Sequence, residues 1–245
     1  LIELPHREAV ILVDTGGYLP YEKEEWQERK NPYDVGRQVI VPFLKGKGIY
    51  RIDALLITHG HHDHMQGAFQ LIDRIQVNKV VYSKGSEREE VMQQFLERVE
   101  DKGISAHPIQ QGDKWQFKTT LIRFLWPKGD SVMWQENDRS ISFELTHPKV
   151  QLIATGDLEQ FGEQQLIKHQ QLIPHALRLL KAGHHGSRTS TTADFLDFIQ
   201  PDQIIISVGR NNRYQHPHEE VIERITQYGI PYRTTADEQT IELKY

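Results

Sequence analysis

A chain of 245 residues, 38% apolar and 26% charged, has the composition of a globular protein with a sizeable core. A net charge of −5 argues against a generic high-affinity nucleic-acid binder, although bound divalent cations would leave room for an anionic substrate. No apolar run approaches the ~20 residues of a membrane span, and the absence of cysteine excludes disulfides and thiolate metal sites, so any metal ligand must be nitrogen or oxygen.

The chain opens Leu1-Ile2-Glu3-Leu4-Pro5 without an initiator Met, and reads as a domain excised from a longer protein. Ala9 to Val13 is a continuous apolar strand that runs into a tight turn, Asp14-Thr15-Gly16-Gly17. Residues 18 to 34 read as a polar loop or flap. Asn31 to Lys47 has a helical pattern that Pro42 should kink or shorten. Ala54 to Ile57 is then a short apolar run, read as a buried strand. Directly after it, His59, His61, His62, Asp63 and His64 fall within six residues. Imidazole and carboxylate together suit a borderline divalent ion such as Zn²⁺ or Mn²⁺. A chance polar turn is the alternative, but placement at the end of a core strand favours ligands held by a rigid scaffold.

Beyond this stretch, Ala68 to Ile75 reads as an amphipathic helix and Lys79 to Tyr82 as a strand. Ser86 with Glu89 reads as a capping box for a helix reaching Glu100. Ile104 to Pro108 and Asp113 to Trp126 are strands, the latter with a turn at Lys118-Thr119. Ile141 to Leu145 and Val150 to Ala154 form a hairpin that ends in Thr155-Gly156-Asp157. A carboxylate in that position needs a partner, or else caps a helix over Leu158 to Gln170. Arg178 to Ala182 is a strand delivering His184 and His185, which strand alternation would send to opposite faces. Thr191 to Ile199 is a helix and Gln203 to Val208 a strand. The loop holding Arg210, Arg213, Tyr214 and His216 suits a phosphate and a base, and precedes a helix over Pro217 to Tyr228. Ile230 to Thr234 and Thr240 to Leu243 close the chain as strands. This alternation predicts a layered α/β domain without a visible internal boundary.

The stretch His59-Gly60-His61-His62-Asp63-His64 resembles the His-x-His-x-Asp-His signature of the metallo-β-lactamase superfamily. Asp14-Thr15-Gly16-Gly17, Asn137-Asp138-Arg139-Ser140, Lys181 to Ser190 and Ile206 to His218 are further similar to the C-terminal domain of ComEC-type competence proteins. The resemblance implies a four-layer αββα sandwich, a single domain over residues 1–245, that binds one or two divalent ions, zinc or manganese. It implies His59 and His61 on one metal, and Asp63 and His64 on a second. Asp157 would bridge, and a His at 184 or 185, with 185 favoured, would bind the second metal. Asp14 would support the ligand loop without binding metal.

The activity implied is hydrolysis of the DNA strand that is not taken up during transformation. Asp63 would orient the attacking water and His216 or His184 would protonate the leaving oxygen. Ser187, Arg188, Arg210 and Arg213 would hold substrate. The partners implied are DNA and the remainder of a membrane channel protein, with this segment soluble on the extracellular face. One departure stands out: a further His common ahead of the Ser140 position is missing from Gln135-Glu136-Asn137-Asp138-Arg139-Ser140. The alternatives are a hydrolase of another phosphodiester, or a DNA-binding or gating domain without catalysis.

Overall fold

The computed structural model describes residues 1–17, 33–129 and 134–245, so most of the loop or flap expected at 18 to 34 lies outside the described residues. The chain divides into two compact units, Leu1–Ile109 and Gln110–Tyr245. Each has its own sheet and its own apolar core.

In the first unit, β1 (Ile2–Glu3), β2 (Val10–Val13), β4 (Ala54–Ile57), β6 (Lys79–Ser83) and β7 (Ser105–Ile109) form a sheet in the order β1-β2-β4-β6-β7. β1 is antiparallel to β2 and the remaining pairs are parallel. Parallel neighbours need crossover segments, supplied here by α2 (His62–Leu71) and α3 (Glu90–Asp101). β3 (Arg51–Ile52) and β5 (Gln76–Val77) pair separately. Leu12, Leu55, Ile57 and Val80 from the strands pack with Leu44, Met65, Leu71, Phe95 and Val99 from the helices. β4 is buried at every residue, so its last residue hands a fixed position to the histidines that follow.

Three helix expectations are corrected here. The helix after β4 begins at His62, not Ala68, so half the histidine stretch lies in its first turn. Ser86 does not cap α3: it sits in a short 3₁₀ turn and donates to the Ser83 carbonyl at 2.7 Å. Nor does Pro42 end its helix. A wide π-type turn over Gly36–Ile40 leads directly into α1 (Val41–Gly46), easing the clash that the ring makes with the carbonyl four residues back in a regular α turn.

The second unit has a seven-stranded sheet in the order β14-β13-β12-β11-β10-β9-β8. β8 (Lys114–Gln116), β9 (Leu121–Trp126), β10 (Ser142–His147) and β11 (Val150–Ala154) form an antiparallel meander. β12 (Arg178–Lys181), β13 (Gln203–Ile206) and β14 (Tyr232–Thr234) then add in parallel. Helices α4 (Gln160–His169), α5 (Ala193–Ile199) and α6 (Glu219–Gln227) pack Leu166, Phe195, Leu196, Val221 and Ile225 onto Ile153, Leu180, Ile204 and Ile206. The fully buried Glu163 of α4 accepts from Thr192 N and Oγ1 at 3.0 and 2.7 Å, tying α4 to the start of α5. Burial pushes its carboxyl up to about 7. The strand expected at Thr240 to Leu243 is not formed. After β14 the chain turns into α7 (Thr235–Glu238) and ends without regular structure.

Candidate metal centre

In the first unit, the ligand loop is organised by Asp14. Its Oδ1 accepts from Thr58 N at 2.8 Å, and its Oδ2 accepts from Thr58 Oγ1 and His64 Nδ1, both at 2.8 Å. Thr58, having given its proton to Asp14, faces His59 Nδ1 at 3.1 Å as an acceptor. His59 and His64 are therefore assigned Nδ1–H tautomers, with the lone pair on Nε2. His59 Nε2 in turn lies 3.1 Å from His61 Nδ1. Both His59 and His64 are buried, while Asp63 is half-buried in the first turn of α2, where a carboxylate is favoured by the helix dipole. The turn before the loop is pinned by Thr15 N to the His64 carbonyl at 2.7 Å. A Cβ on Gly17 would lie 1.9 Å from the His62 carbonyl oxygen, so only glycine lets the turn approach α2 so closely.

In the second unit, Asp157 is buried behind β11, its amide donating to Ser140 Oγ at 3.0 Å. Its Oδ2 lies 3.4 Å from His185 Nε2 and 3.8 Å from His184 Nε2. His185 Nδ1 is 2.7 Å from the Ser207 carbonyl, which can only accept, so Nδ1 carries the proton. With the ring neutral, Nε2 turns a lone pair towards a carboxylate, an arrangement that asks for a cation. The donor separation suits one: ligand atoms around a tetrahedral Zn²⁺ sit roughly 3.3–3.6 Å apart, given bond lengths of about 2.0–2.2 Å. His184 is held differently, with Nδ1 3.0 Å from Glu159 Oε1. That contact, with Asn137 and Thr189 also donating, holds the Glu159 carboxyl below its ordinary range despite partial burial.

The strand argument for His184 and His185 does not apply. Both lie past β12 in a tight turn, with φ of 43° and 54°. The turn lets both rings face Asp157. Asp157 does not cap α4 either: that position is Glu159. His216 joins the cluster, its ring 5.5 Å from that of His184 and 6.4 Å from that of His185. Burial, then the neighbouring His184, His218 and His185, push its imidazole down to about 4. Arg210 is engaged within its own unit. Its guanidinium donates to the Ala236 and Asp237 carbonyls and ties down α7. Arg213 lies over the Tyr214 ring at 5.4 Å, and Arg188 lies 3.6 Å from Glu220. Ser187 Oγ is 3.0 Å from Thr189 Oγ1.

Sequence reasoning missed several contacts. Asp138 Oδ1 accepts from the amides of Glu159 and Gly162 at 3.2 and 3.1 Å, and Asn137 Nδ2 donates to Glu159 Oε1 at 3.1 Å. The Asn-Asp-Arg-Ser stretch that lacks the expected histidine thus shapes the loop carrying Asp157 and Glu159. His218 Nδ1 accepts from Arg188 N at 2.9 Å. A Cβ on Gly186 (φ +82°) would lie 2.7 Å from Pro217 Cβ, which keeps this crossing closed to larger residues.

The family model for the metallo-beta-lactamase superfamily matches residues 1–210. ComE operon protein 3 of Bacillus subtilis is 35% identical over 242 residues, covering 98% of this chain and 31% of that protein. Competence protein ComA of Neisseria gonorrhoeae is 31% identical over 191 residues, covering 78% of this chain and 25% of that protein. The chain therefore spans about a third or less of the curated relatives it matches. Among solved structures, Tm1679, a metal-dependent hydrolase of the beta-lactamase superfamily, matches at a TM-score of 0.52 and 12% identity over 95% of this chain and 96% of that one. A variant of CmlA beta-hydroxylase matches at 0.57 and 15% identity over 91% and 48%. Among the described residues no helix is long and apolar enough to cross a membrane.

Proposed function

The chain belongs to the metallo-β-lactamase superfamily, and from that premise we propose that it is a metal-dependent phosphodiester hydrolase, a nuclease acting on DNA during uptake. The observation that carries the reading is the opposed pair of His185 Nε2 and Asp157 Oδ2 at 3.4 Å, with the ring's proton committed to Ser207. The similarity to ComE operon protein 3 and Competence protein ComA supports DNA as the substrate.

In this reading His59, His61, Asp63, His64, Asp157 and His185 hold one or two divalent ions, zinc or manganese. Such an ion, when bound, lowers the pKa of water and neutralises phosphate oxygens. The protein's own groups do the rest. Asp63 accepts a hydrogen bond from the attacking water and orients it. His184, backed by Glu159 at 3.0 Å, delivers a proton to the leaving oxygen. Asp14 keeps His59 and His64 in the tautomer that presents Nε2. Ser187, Arg188 and Arg213 position the flanking backbone. The chain would work as the soluble part of a longer membrane protein, facing outside, with DNA and the rest of that protein as partners.

The test is cleavage of labelled single- and double-stranded DNA by the purified 245-residue chain, stripped with chelator and reloaded with Mn²⁺ or Zn²⁺. Cleavage should return with metal and fall at least ~10³-fold in Asp63→Ala and Asp157→Ala, as expected when a metal-centred mechanism loses its ligands. Undiminished cutting by both variants would overturn the reading. Tight DNA binding with no cutting under any metal would favour the gating alternative, which the missing histidine ahead of Ser140 supports.

A further inference from the structure

Beside the Asp157 cluster, the second unit carries a cleft of about 560 Å³, in the usual range of small-ligand pockets. It is lined by Trp134, Gln135, Asp138, Glu159, Phe161 and Arg188 among others. Its aromatic wall is rigid. Trp126, fully buried and with its indole N–H on the Asp138 carbonyl at 2.6 Å, stacks on Trp134 at 4.6 Å and 12°. Phe161 meets Trp134 edge-on at 6.0 Å and 62°, yet is 42% exposed. The part of this large apolar ring left in water at the first turn of α4 is open to a ligand in the cleft.

The polar groups say what the cleft would hold. Asp138 and Glu159 disfavour a phosphate inside it. Asp138 Oδ1 is already committed to two amides. Glu159 uses Oε1 for Asn137, Thr189 and His184, while its Oε2 has no partner among the described residues. An uncharged, flat group carrying N–H donors fits this set: its face against the aromatic wall and its amino edge on Glu159. The only cation lining the cleft among the described residues is Arg188, 61% exposed at the side chain and placed to reach a phosphate outside it.

Resting on the nuclease reading, we propose that this cleft is a nucleobase subsite, which takes one unstacked base of single-stranded DNA next to the nucleotide being cut. A base paired in a duplex cannot enter such a slot, so the site selects single strands or frayed ends. A carboxylate acceptor favours bases with an exocyclic amino group, adenine, cytosine or guanine, over thymine.

The experiment is equilibrium binding by the metal-free 245-residue chain, which separates recognition from cleavage. The probes are fluorescently labelled single strands of twelve deoxyadenosines, twelve thymidines and twelve abasic sites. The deoxyadenosine strand should bind about fivefold or more tighter than the abasic one, and Phe161→Ala should remove that advantage, since it comes from a base stacking on the aromatic wall. Trp134→Leu, which keeps apolar bulk against Trp126, should weaken the same probe and leave the abasic strand unchanged. Glu159→Gln should narrow the adenine-over-thymine difference. Equal affinity for base-bearing and abasic strands, or an undiminished advantage in both aromatic variants, would overturn the subsite. Hydrolysis of bis(p-nitrophenyl) phosphate by the wild-type chain with Mn²⁺ reports on the phosphodiester chemistry separately. Failure there with selective base binding intact would sink the nuclease reading alone.

Discussion

The two ligand clusters are built on opposite plans. In the first unit the donors are nearly contiguous, His59 to His64, carried off one buried strand into one helix and governed by one carboxylate, Asp14. In the second they are gathered from four places: the end of β11, the turn after β12, the loop after β13, and the Asn137–Ser140 turn that shapes the Asp157 loop. The first plan concentrates the orienting contacts in one residue, whereas the second distributes them over Ser140, Ser207, Asn137, Asp138 and Glu159. A single substitution should therefore disturb all of the first cluster at once but only one function of the second.

The largest effect that would break this contrast is expected at His184. If it only donates a proton, His184→Ala should slow cleavage of DNA, with its poor leaving group, by about 10²–10⁴-fold. Hydrolysis of bis(p-nitrophenyl) phosphate, whose leaving group needs no proton, should fall far less, and metal content should stay level. Equal losses on both substrates with loss of metal would make His184 a ligand and the second cluster as unified as the first. Next in size is Asp14→Asn. The amide can still accept from Thr58 but presents N–H where His64 or Thr58 now donates, so metal affinity should fall about 10–100-fold, measured by competition with a chelator. An affinity loss confined to one of two ions would show that Asp14 governs less of the cluster than its contacts suggest.

The smallest effect concerns the second unit's frame. Glu163 titrates at about 7 in the folded chain against an ordinary 4.5. The folded state thus holds its proton longer than the unfolded one. The stability this contributes is complete below about pH 4.5 and is lost as pH rises through about 7, up to ~3 kcal/mol. Glu163→Gln should flatten that decline in denaturant titrations across the same window. An unchanged slope would place the titration elsewhere.

The same contrast explains what could be read from the letters. His59 to His64 was legible because a local run of ligand types followed an apolar strand, and Asp157 because a carboxylate followed a strand and a glycine. The start of α2 was hidden because His and Asp are weak helix formers whose place here is set by packing of Met65, Ala68 and Leu71. The contacts made by Glu159 and His218 were not legible. Their partners Asn137 and Arg188 lie 22 and 30 residues away, and such contacts leave no periodic trace. The mistaken final strand at 240–243 had suitable residues but no neighbour to pair with, since α7 diverts the chain after β14.

The carboxylate at position 14 has one further consequence. Because Asp14 and the Ser207 carbonyl, acceptors belonging to the protein itself, already aim the rings of His64 and His185, no incoming ion has to pay for arranging them. Capture of a cation should then be quick and leave the shape of each loop intact, so that an emptied site refills without remodelling.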